Sequence, residues 1–432
     1  SDSHQFPRAI IHIDGDAFFV ACELASKPWL KGKPVVTGQE RGIASALSYE
    51  AKARGVTRGM PIHMIRKLCP DVVVLPSDYE TYVLYSQRMY NIVRKYTPHV
   101  DEYGIDECFA DITGCDALFK MSYGELARVI KKDIDESLGL TVSLGLSVNK
   151  VLSKVGSKWQ KPSGLTSIPC TGTESFLSQL TIGKIWGIGG ATAIELNRHG
   201  IITAWDFACK DTLWVKEFFS KPFQEIHQEL RGNFVLPLII GTKHTYDSIS
   251  KTLTFTPPSS DRSFVFSQLS KNTENACIKM RRHNLRTTRF SFFLKTQGFS
   301  YRGLEVDLSQ PASTPREILS ELEKVFDLVF MPGVMYRATG ITLRGLDAYE
   351  TRTIDLFGES KKFEKSEKIF QAVDALSARF GRNVLFLGSS FKAFNRETHI
   401  GNRGVKAIRA QHRFRGEMEK RKIGIPFLGT VK

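Results

Sequence analysis

Two short acidic motifs lie next to apolar runs that are typical of strands. Asp14 follows the β-branched run at residues 9–13, and Asp106 and Glu107 lie between two further strand-like runs. Three carboxylates brought together by neighbouring strands repel each other unless a cation neutralises them. Hard oxygen ligands suit Mg²⁺, and two such ions about 3.5–4 Å apart stabilise the attacking and leaving oxygens of a phosphoryl transfer. The motifs therefore predict a two-metal site. An acidic residue after a strand also serves as a helix cap or a turn residue, so each motif alone leaves that alternative open.

The elements that must position these carboxylates alternate along the first 175 residues, as in a split βαβ, ferredoxin-like sheet. Residues 175–235 change to a mostly helical pattern with a tight glycine hairpin between two helices, and residues 244–346 return to alternating strands and helices. The fold class expected from these patterns is α+β with several domains. The individual predictions are strands at 9–13, 31–38 and 141–148, helices at 47–54, 78–97 and 124–138, and a late helix at 364–380.

Charge and composition restrict the class of partner. The chain has 432 residues with 60 Lys and Arg against 45 Asp and Glu, and residues 351–432 alone hold 18 basic and 8 acidic residues. This basic surplus favours a nucleic acid or an anionic surface as partner. No apolar run is long enough to span a bilayer, and the polar start does not resemble a signal peptide. Seven dispersed cysteines favour neither a disulfide framework nor a zinc site. We therefore expect a soluble, cytoplasmic protein that binds no membrane.

Five motifs in fixed order resemble those of Y-family DNA polymerases, most closely the polymerase IV branch. They are DGDAFFVA from Asp14, SYEAKARGV from Ser48, GIDECFAD from Gly104, SVNKVLSK from Ser147 and KPSGL from Lys161. The resemblance covers residues 9 to about 350 and implies a low-fidelity, lesion-bypassing DNA polymerase that uses two Mg²⁺ ions, dNTPs and primer–template DNA. The domains it implies are a palm at 1–30 and 79–174, fingers at 31–78, a thumb at 175–240, a little finger at 244–350, and a basic extension at 351–432.

The same resemblance assigns the nucleotide contacts. Phe19 falls on the bulky residue that lies against the sugar, where a rigid ring excludes a 2′-hydroxyl group. Backbone N–H groups near Phe18 and Phe19 face the triphosphate, as at other strand-to-helix turns. Tyr49, Lys52 and Lys161 fall on the triphosphate contacts. Lys52 replaces the usual arginine, so a bidentate contact becomes a point charge, and Gly104 replaces the usual serine. We interpret Asp16 and Asp111 as structural acids.

The DNA and protein contacts are predicted from weaker signals. Gly187 and Gly189 resemble a helix-hairpin-helix that binds a phosphate through backbone N–H groups, although an ordinary helical corner has the same sequence pattern. Candidate phosphate contacts of the little finger are Ser250, Lys251 and Arg337. The segment 353–357 resembles a sliding-clamp peptide in which Ile354, Leu356 and Phe357 are the apolar residues, although Thr353 stands where glutamine is expected. The basic tail beyond it is a candidate nonspecific DNA contact, and we expect a monomer.

Two other functions remain open at the level of the residues. A nucleotidyl cyclase also places carboxylates and two metals at strand ends of a ferredoxin-like sheet, but it has no use for the hairpin, the second α+β domain or the basic tail. A non-catalytic DNA-binding scaffold of the same fold would be marked by loss of a carboxylate. All three carboxylates are present in this sequence.

Overall fold

The computed structural model describes residues 2–241, 246–348, 360–380 and 384–395. The chain divides into two compact units, with the boundary after residue 241. Each unit has its own sheet and its own hydrophobic core. This confirms the predicted mixed architecture of several domains. Within the described ranges, no helix combines the length and the apolar content that a bilayer crossing requires.

The first unit contains eight strands and thirteen α-helices within the described residues. Its strands are β1 Ile10–Gly15, β2 Val35–Thr37, β3 Ala46–Leu47, β4 Val73–Leu75, β5 Val100–Gly104, β6 Glu107–Asp111, β7 Val142–Ser147 and β8 Leu165–Ser167. Its helices are α1 Asp2–Gln5, α2 Phe18–Ser26, α3 Tyr49–Ala53, α4 Ile62–Leu68, α5 Tyr79–Arg94, α6 Cys115–Phe119, α7 Tyr123–Leu138, α8 Lys150–Trp159, α9 Thr173–Leu177, α10 Gly190–Arg198, α11 Ala204–Ala208, α12 Thr212–Phe218 and α13 Lys221–Leu230.

The main sheet has the strand order β5-β6-β1-β7-β8, and its first four strands pair antiparallel. This is the strand order of a ferredoxin-like fold, as the interleaved pattern predicted. Strand β1 is central and is buried on both faces, since the neighbouring residues Ile10 and Ile11, which point to opposite faces, are both fully buried. A separate three-stranded sheet, β3-β2-β4, lies within residues 35–75.

Helix α8 lies unusually close to the main sheet. A side chain at Gly145 on β7 would collide with the backbone of the helix, 1.9 Å from the Ser153 carbonyl oxygen, and Gly156 faces the same contact. Two glycines therefore let the helix approach the strands at backbone distance. The consequence is that polar side chains of α8, among them Lys154 and Ser157, reach the face of β1 that carries His12 and Asp14.

Two predicted helical regions differ in detail from the structure. The helix predicted from residue 47 begins at Tyr49, because Ser48 caps it by accepting a hydrogen bond from the Ala51 N–H at 3.2 Å. The glycine hairpin does not directly connect two α-helices. The 3₁₀ turn Ile182–Lys184 separates it from helix α9, which ends at Leu177, because the segment directly before Gly187 is too short and too interrupted by glycine to form an α-helix.

The second unit is an antiparallel sheet with helices packed on one face. Its strand order is β11-β10-β12-β9, as the alternating patterns between residues 244 and 346 predicted. Helices α14 and α15 pack on one face, while side chains on the other face, such as Thr252 and Tyr301, are exposed. The elements are β9 Ser248–Ser259, α14 Arg262–Arg282, β10 Leu285–Thr296, β11 Tyr301–Ala312, α15 Pro315–Val329, β12 Tyr336–Ala348, α16 Ser360–Phe380 and α17 Phe391–Asn395.

Candidate active site

Strand register brings the two acidic motifs together at one end of the main sheet. Asp14 on β1 is the direct antiparallel partner of Glu107 on β6. The Gly15 N–H donates to the Asp106 carbonyl oxygen at 2.8 Å, which fixes the turn carrying Asp106 beside the end of β1. A single strand pair thus brings together Asp14 and Glu107, which are about ninety residues apart in the sequence. The backbone thus places the three predicted residues at the same sheet end.

A buried histidine joins the acidic group. One ligand atom each from His12, Asp14 and Glu107 lies within 4.8 Å of the other two, whereas Asp106 is not in this group. His12 Nε2 lies 3.0 Å from Glu107, and its Nδ1 lies 2.6 Å from the Ser157 hydroxyl group. A carboxylate only accepts, so Nε2 carries the proton. Nδ1 of a neutral ring is then an acceptor, which shares the Ser157 hydroxyl group with the Lys154 carbonyl oxygen at 3.0 Å. Burial lowers the pKa of His12, which favours this neutral form.

Glu107 is held by two donors. Lys154 Nζ donates to Glu107 Oε2 at 2.7 Å, and His12 approaches the same oxygen. Burial alone would raise the pKa of Glu107, but the hydrogen bonds from His12 and Lys154 outweigh it and lower the pKa to about 2. This carboxylate is therefore ionised at neutral pH, as a metal ligand must be.

Asp106 is in a contrasting environment. Burial, and secondly the neighbouring charge of Glu107, raise the pKa of Asp106. A carboxylate whose charge is unfavourable in the protein alone is stabilised when a cation binds beside it. The unfavourable charge of Asp106 therefore favours cation binding beside this residue.

Asp16 and Asp111 differ from these three residues. Asp16 is buried and accepts from the Ser143 hydroxyl at 2.7 Å and from the Ser163 N–H at 2.8 Å, so its oxygens are engaged inside the protein. Asp111 lies at the far end of β6 and accepts from the Thr113 N–H at 2.9 Å. Both contacts support the interpretation of these acids as structural.

A cavity of about 640 Å³ opens beside the carboxylates. Phe18 is buried, and its ring fills the space next to Gly15. Phe19 is half-buried and stacks on Tyr82 with ring centroids 4.5 Å apart and an interplanar angle of 11°. The Phe19 ring is therefore fixed at the cavity wall. Residues of both acidic motifs line this cavity together with the predicted nucleotide contacts, namely Asp14, Asp106, Phe18, Phe19, Tyr49, Lys52 and Lys161.

The predicted triphosphate contacts surround the cavity from two elements. Tyr49 and Lys52 come from α3, and the Tyr49 hydroxyl donates to Asp16 at 3.4 Å. Lys161, after α8, forms an ion pair with Asp14 and lies 3.7 Å from Asp16. Arg58 also lines the cavity and donates to the Ser45 carbonyl oxygen at 2.9 Å. Its guanidinium group is planar with several donors, whereas the Lys52 ammonium group is a point charge.

The Lys154 ammonium group lies among three aromatic rings. Its Nζ is 4.6 Å from the Tyr103 ring centroid, 5.0 Å from Trp186 and 5.9 Å from Phe109. We call these three rings the Lys154 cage. The Trp186 indole N–H also donates to the Tyr103 hydroxyl at 3.1 Å. Trp186 directly precedes the glycine hairpin, so the cage connects that hairpin with Glu107.

The hairpin itself has the geometry of a backbone donor site. Gly187 has φ +88°, and a side chain there would lie 2.6 Å from Ile226, so only glycine fits. Gly189 is exposed at the N-terminus of α10. Exposed N–H groups at such an end can bind a phosphate.

The predicted DNA contacts of the second unit do not form one group. Ser250 pairs in register with Thr342 and Lys251 with Ile341, so the two side chains lie on opposite faces of the sheet. Ser250 accepts from the Thr342 hydroxyl at 3.1 Å on the open face. Arg337 on β12 lies over the Phe299 ring at 4.5 Å. Ile354, Leu356 and Phe357 of the predicted clamp peptide, and the basic tail after residue 395, lie outside the described residues.

Three residues of the site were not predicted from the sequence: His12, Lys154 and Arg58. His12 had a usable signal, since it lies two residues before Asp14 and residues two apart on a strand share a face. Lys154 and Arg58 depend on how α8 and the chain after α3 pack, which no local pattern specifies.

Comparisons with known proteins agree with this geometry. The impB/mucB/samB family model matches residues 13–158, and the model of that family's C-terminal domain matches residues 246–356. DNA polymerase IV of Desulfatibacillum aliphaticivorans is 31% identical over 382 residues, which cover 87% of this chain and 95% of the relative. DNA polymerase IV of Clostridium kluyveri is 30% identical, with 89% and 98% covered.

Solved structures of DNA polymerases are also similar to this chain. A Y-family DNA polymerase chimera of Dbh and Dpo4 is similar with a TM-score of 0.67 and 25% identity, covering 79% of this chain and 99% of that one. An insertion ternary complex of Dbh DNA polymerase is similar with a TM-score of 0.51 and 25% identity, with 79% and 99% covered. These relatives favour the polymerase interpretation over the cyclase.

Proposed function

The chain belongs to the impB/mucB/samB family, the Y-family of translesion DNA polymerases, and from this premise we propose that Asp14, Asp106 and Glu107 hold its two catalytic magnesium ions. The protein is a DNA-directed DNA polymerase, and its substrates include DNA. The observation that carries the proposal is the strand pairing of Asp14 with Glu107 beside the cavity that Asp14 and Asp106 line.

The residues present fit divalent ions. The donor set is dominated by carboxylate oxygens, which magnesium prefers, and the charge of Glu107 is already stabilised by His12 and Lys154. Asp14 and Asp106 supply charge at the cavity wall, where burial and Glu107 disfavour uncompensated ionisation of Asp106. When bound, the two ions lower the pKa of the primer 3′-hydroxyl group and neutralise the triphosphate.

The side chains around the cavity position the nucleotide. Tyr49, Lys52 and Lys161 bind the β- and γ-phosphates, where charge grows as pyrophosphate leaves. Phe19, fixed by its stack on Tyr82, lies against the sugar and excludes a 2′-hydroxyl group. Backbone N–H groups at Phe18 and Phe19 face the phosphates, since they open helix α2.

The remaining assignments follow the family layout. We assign the palm to 1–30 and 79–174, the fingers to 31–78, the thumb to 175–240 and the little finger to 244–350. Gly187 and Gly189 bind a backbone phosphate, and Ser250 and Arg337 are candidate little-finger contacts. A monomer in the cytoplasm, at the nucleoid in a bacterium, and a sliding clamp bound through residues 353–357 are further proposals that rest on sequence.

Primer extension tests the metal assignment. A labelled primer–template with Mg²⁺ and dNTPs should lengthen with the wild-type protein, and Asp106→Ala with Glu107→Ala should slow it by on the order of 10³-fold or more, because charge development at the phosphates is no longer stabilised. Asp111→Ala is the matched control, since it removes a carboxylate from the same strand at its other end. Extension at the wild-type rate in the double variant would refute the assignment.

A further inference from the structure

The second unit carries a cluster of exposed aromatic rings at the tip of the β10–β11 hairpin. Tyr301 is 60% exposed and Phe299 is 62% exposed, and Phe293 packs against Tyr301 with ring centroids 5.3 Å apart. Phe293 lies in register between Gly303 and Gly340, and a side chain at Gly340 would lie 2.3 Å from its ring. The two glycines thus leave room for the ring on the open face of the sheet.

Cations are interleaved with these rings. Lys295 Nζ lies 5.0 Å from the Phe299 ring centroid and 4.6 Å from that of Tyr301, and the Arg337 guanidinium lies 4.5 Å from that of Phe299. We call Phe293, Lys295, Phe299, Tyr301 and Arg337 the aromatic tip. The acidic residues of the same face, Glu305 and Asp307, lie further along β11 and pair with arginines there.

The turn of the hairpin is held by hydrogen bonds. The Thr296 N–H donates to the Ser300 carbonyl oxygen at 2.9 Å, and the Gln297 N–H donates to the Met335 carbonyl oxygen at 2.8 Å. Phe299 has φ +70°, a conformation that a bulky residue rarely adopts and that glycine adopts without strain. A large ring is therefore present at a position where the backbone favours glycine, and it faces solvent. Burial in the hydrophobic core therefore does not explain why a large ring occupies position 299.

We propose that the aromatic tip binds unpaired DNA, with bases stacked on Phe299 and Tyr301 and phosphates bound by Lys295 and Arg337. Aromatic rings alternating with cations are the surface that single-stranded DNA recognises, and the contact is tolerant of sequence because every base has a stacking face. Bases within a duplex offer no such faces, so the tip distinguishes a single-stranded template from a paired one. The inference goes beyond the proposed catalytic site and involves none of its residues.

Binding to two oligonucleotides separates stacking from charge. Fluorescence anisotropy with the full chain in EDTA compares a 12-nucleotide oligothymidylate with a strand of 12 abasic residues, which keeps the phosphates and lacks the bases. The wild-type protein should bind the thymidylate more tightly, and the double variant Phe299→Gly with Tyr301→Ala should lose about tenfold of that preference. Affinity for the abasic strand should stay unchanged. No nucleotide or metal is needed, so failure here is distinct from failure of the polymerase assignment.

Two further variants complete the experiment. Leu328→Ala is the matched control, because Leu328 is 70% exposed on α15, a helix on the other face of the same sheet. It should keep the full base preference. Lys295→Gln with Arg337→Gln should weaken binding of both oligonucleotides and reduce the slope of log affinity against log salt by roughly 1.4. An unchanged base preference in the ring variant, or an unchanged salt slope in the cation variant, would overturn the proposal.

Discussion

Two ion pairs, one in each unit, differ in how far their side chains are buried. Lys150 and Asp101 of the first unit form an ion pair at 2.7 Å with side chains 5% and 6% exposed. Arg289 and Asp307 of the second unit pair with side chains 48% and 73% exposed. Buried pairs hold groups in one position, because leaving either partner alone is costly. Exposed pairs constrain their side chains less, because water screens the attraction between them.

Two groups of aromatic rings, one in each unit, differ in the same way. Phe19 is fixed by stacking on Tyr82, while Phe299 and Tyr301 face solvent. A ring held in one position can exclude a nucleotide that carries an additional group. An exposed ring can bind a base by stacking against it. An aromatic side chain can therefore serve selection where it is held in place, as in Phe19, and adaptable binding where it is exposed, as in Phe299 and Tyr301. Four substitutions test this contrast.

The largest effect is expected at the buried pair. Asp101→Ala leaves the Lys150 ammonium group buried without its partner and removes the acceptor of the Ile239 N–H at 3.1 Å. We expect a loss of about 3–5 kcal/mol in the free energy of unfolding. Urea denaturation followed by tryptophan fluorescence measures it cleanly, because all five tryptophans lie before residue 242 and report on the first unit. A loss below about 1 kcal/mol would contradict the claim that this pair is structurally important.

The next effect concerns sugar selection. Phe19→Ala removes the fixed ring, so a ribonucleotide should be incorporated on the order of a hundredfold more efficiently relative to the matching deoxynucleotide. The ratio of kcat/KM values for the two nucleotides measures it. Phe207→Leu is the control, since Phe207 is buried in the core of the same unit and is not among the residues that line the cavity, so its replacement should leave the ratio alone. Equal ratios in Phe19→Ala and wild type would remove Phe19 from this role.

Much of the first unit was predictable because its signals are local. The central strand, the acidic turn and the helices at 78–97 and 124–138 come from periodicity, and the structure has them as β1, the β5–β6 turn, α5 and α7. The start of α3 was placed two residues early because a serine cap overrides the apolar pattern.

The contacts that local sequence patterns did not predict depend on the register of the strands and on how the helices pack. His12 reaches Glu107 because β1 pairs with β6, and Lys154 reaches it because two glycines bring α8 onto the sheet. In the second unit, Ser250 and Lys251 are adjacent in sequence, and for that reason they lie on opposite faces. The assignment of the three carboxylates as metal ligands remains a prediction from the order of the motifs. The pairing of β1 with β6 supports it.

A substitution in the Lys154 cage should have an effect of intermediate size. Trp186→Ala removes one wall, so Lys154 is held less firmly against Glu107, and kcat should fall by about tenfold while KM for the nucleotide stays near its wild-type value. Trp186→Phe keeps a ring over the ammonium group and should restore most of kcat. Pre-steady-state extension with saturating DNA measures both values. A change in KM alone, or no rescue by phenylalanine, would show that the cage does not position Glu107.

The smallest effect is expected at an exposed pair of the second unit. Arg262 contacts Asp327 through two hydrogen bonds of 2.6 and 2.7 Å, yet the side chains are 46% and 64% exposed. Solvent screens this attraction, so Asp327→Ala should cost less than about 1 kcal/mol in the free energy of unfolding despite its good geometry. Denaturation followed by circular dichroism, compared with Asp101→Ala under the same conditions, measures the difference. If the exposed pair costs as much as the buried one, burial does not decide how much an ion pair stabilises this protein, and the contrast between the two pairs fails. If the order holds, burial matters more to the stability of an ion pair than hydrogen-bond geometry does, because Arg262 and Asp327 form two well-aligned hydrogen bonds and still contribute little.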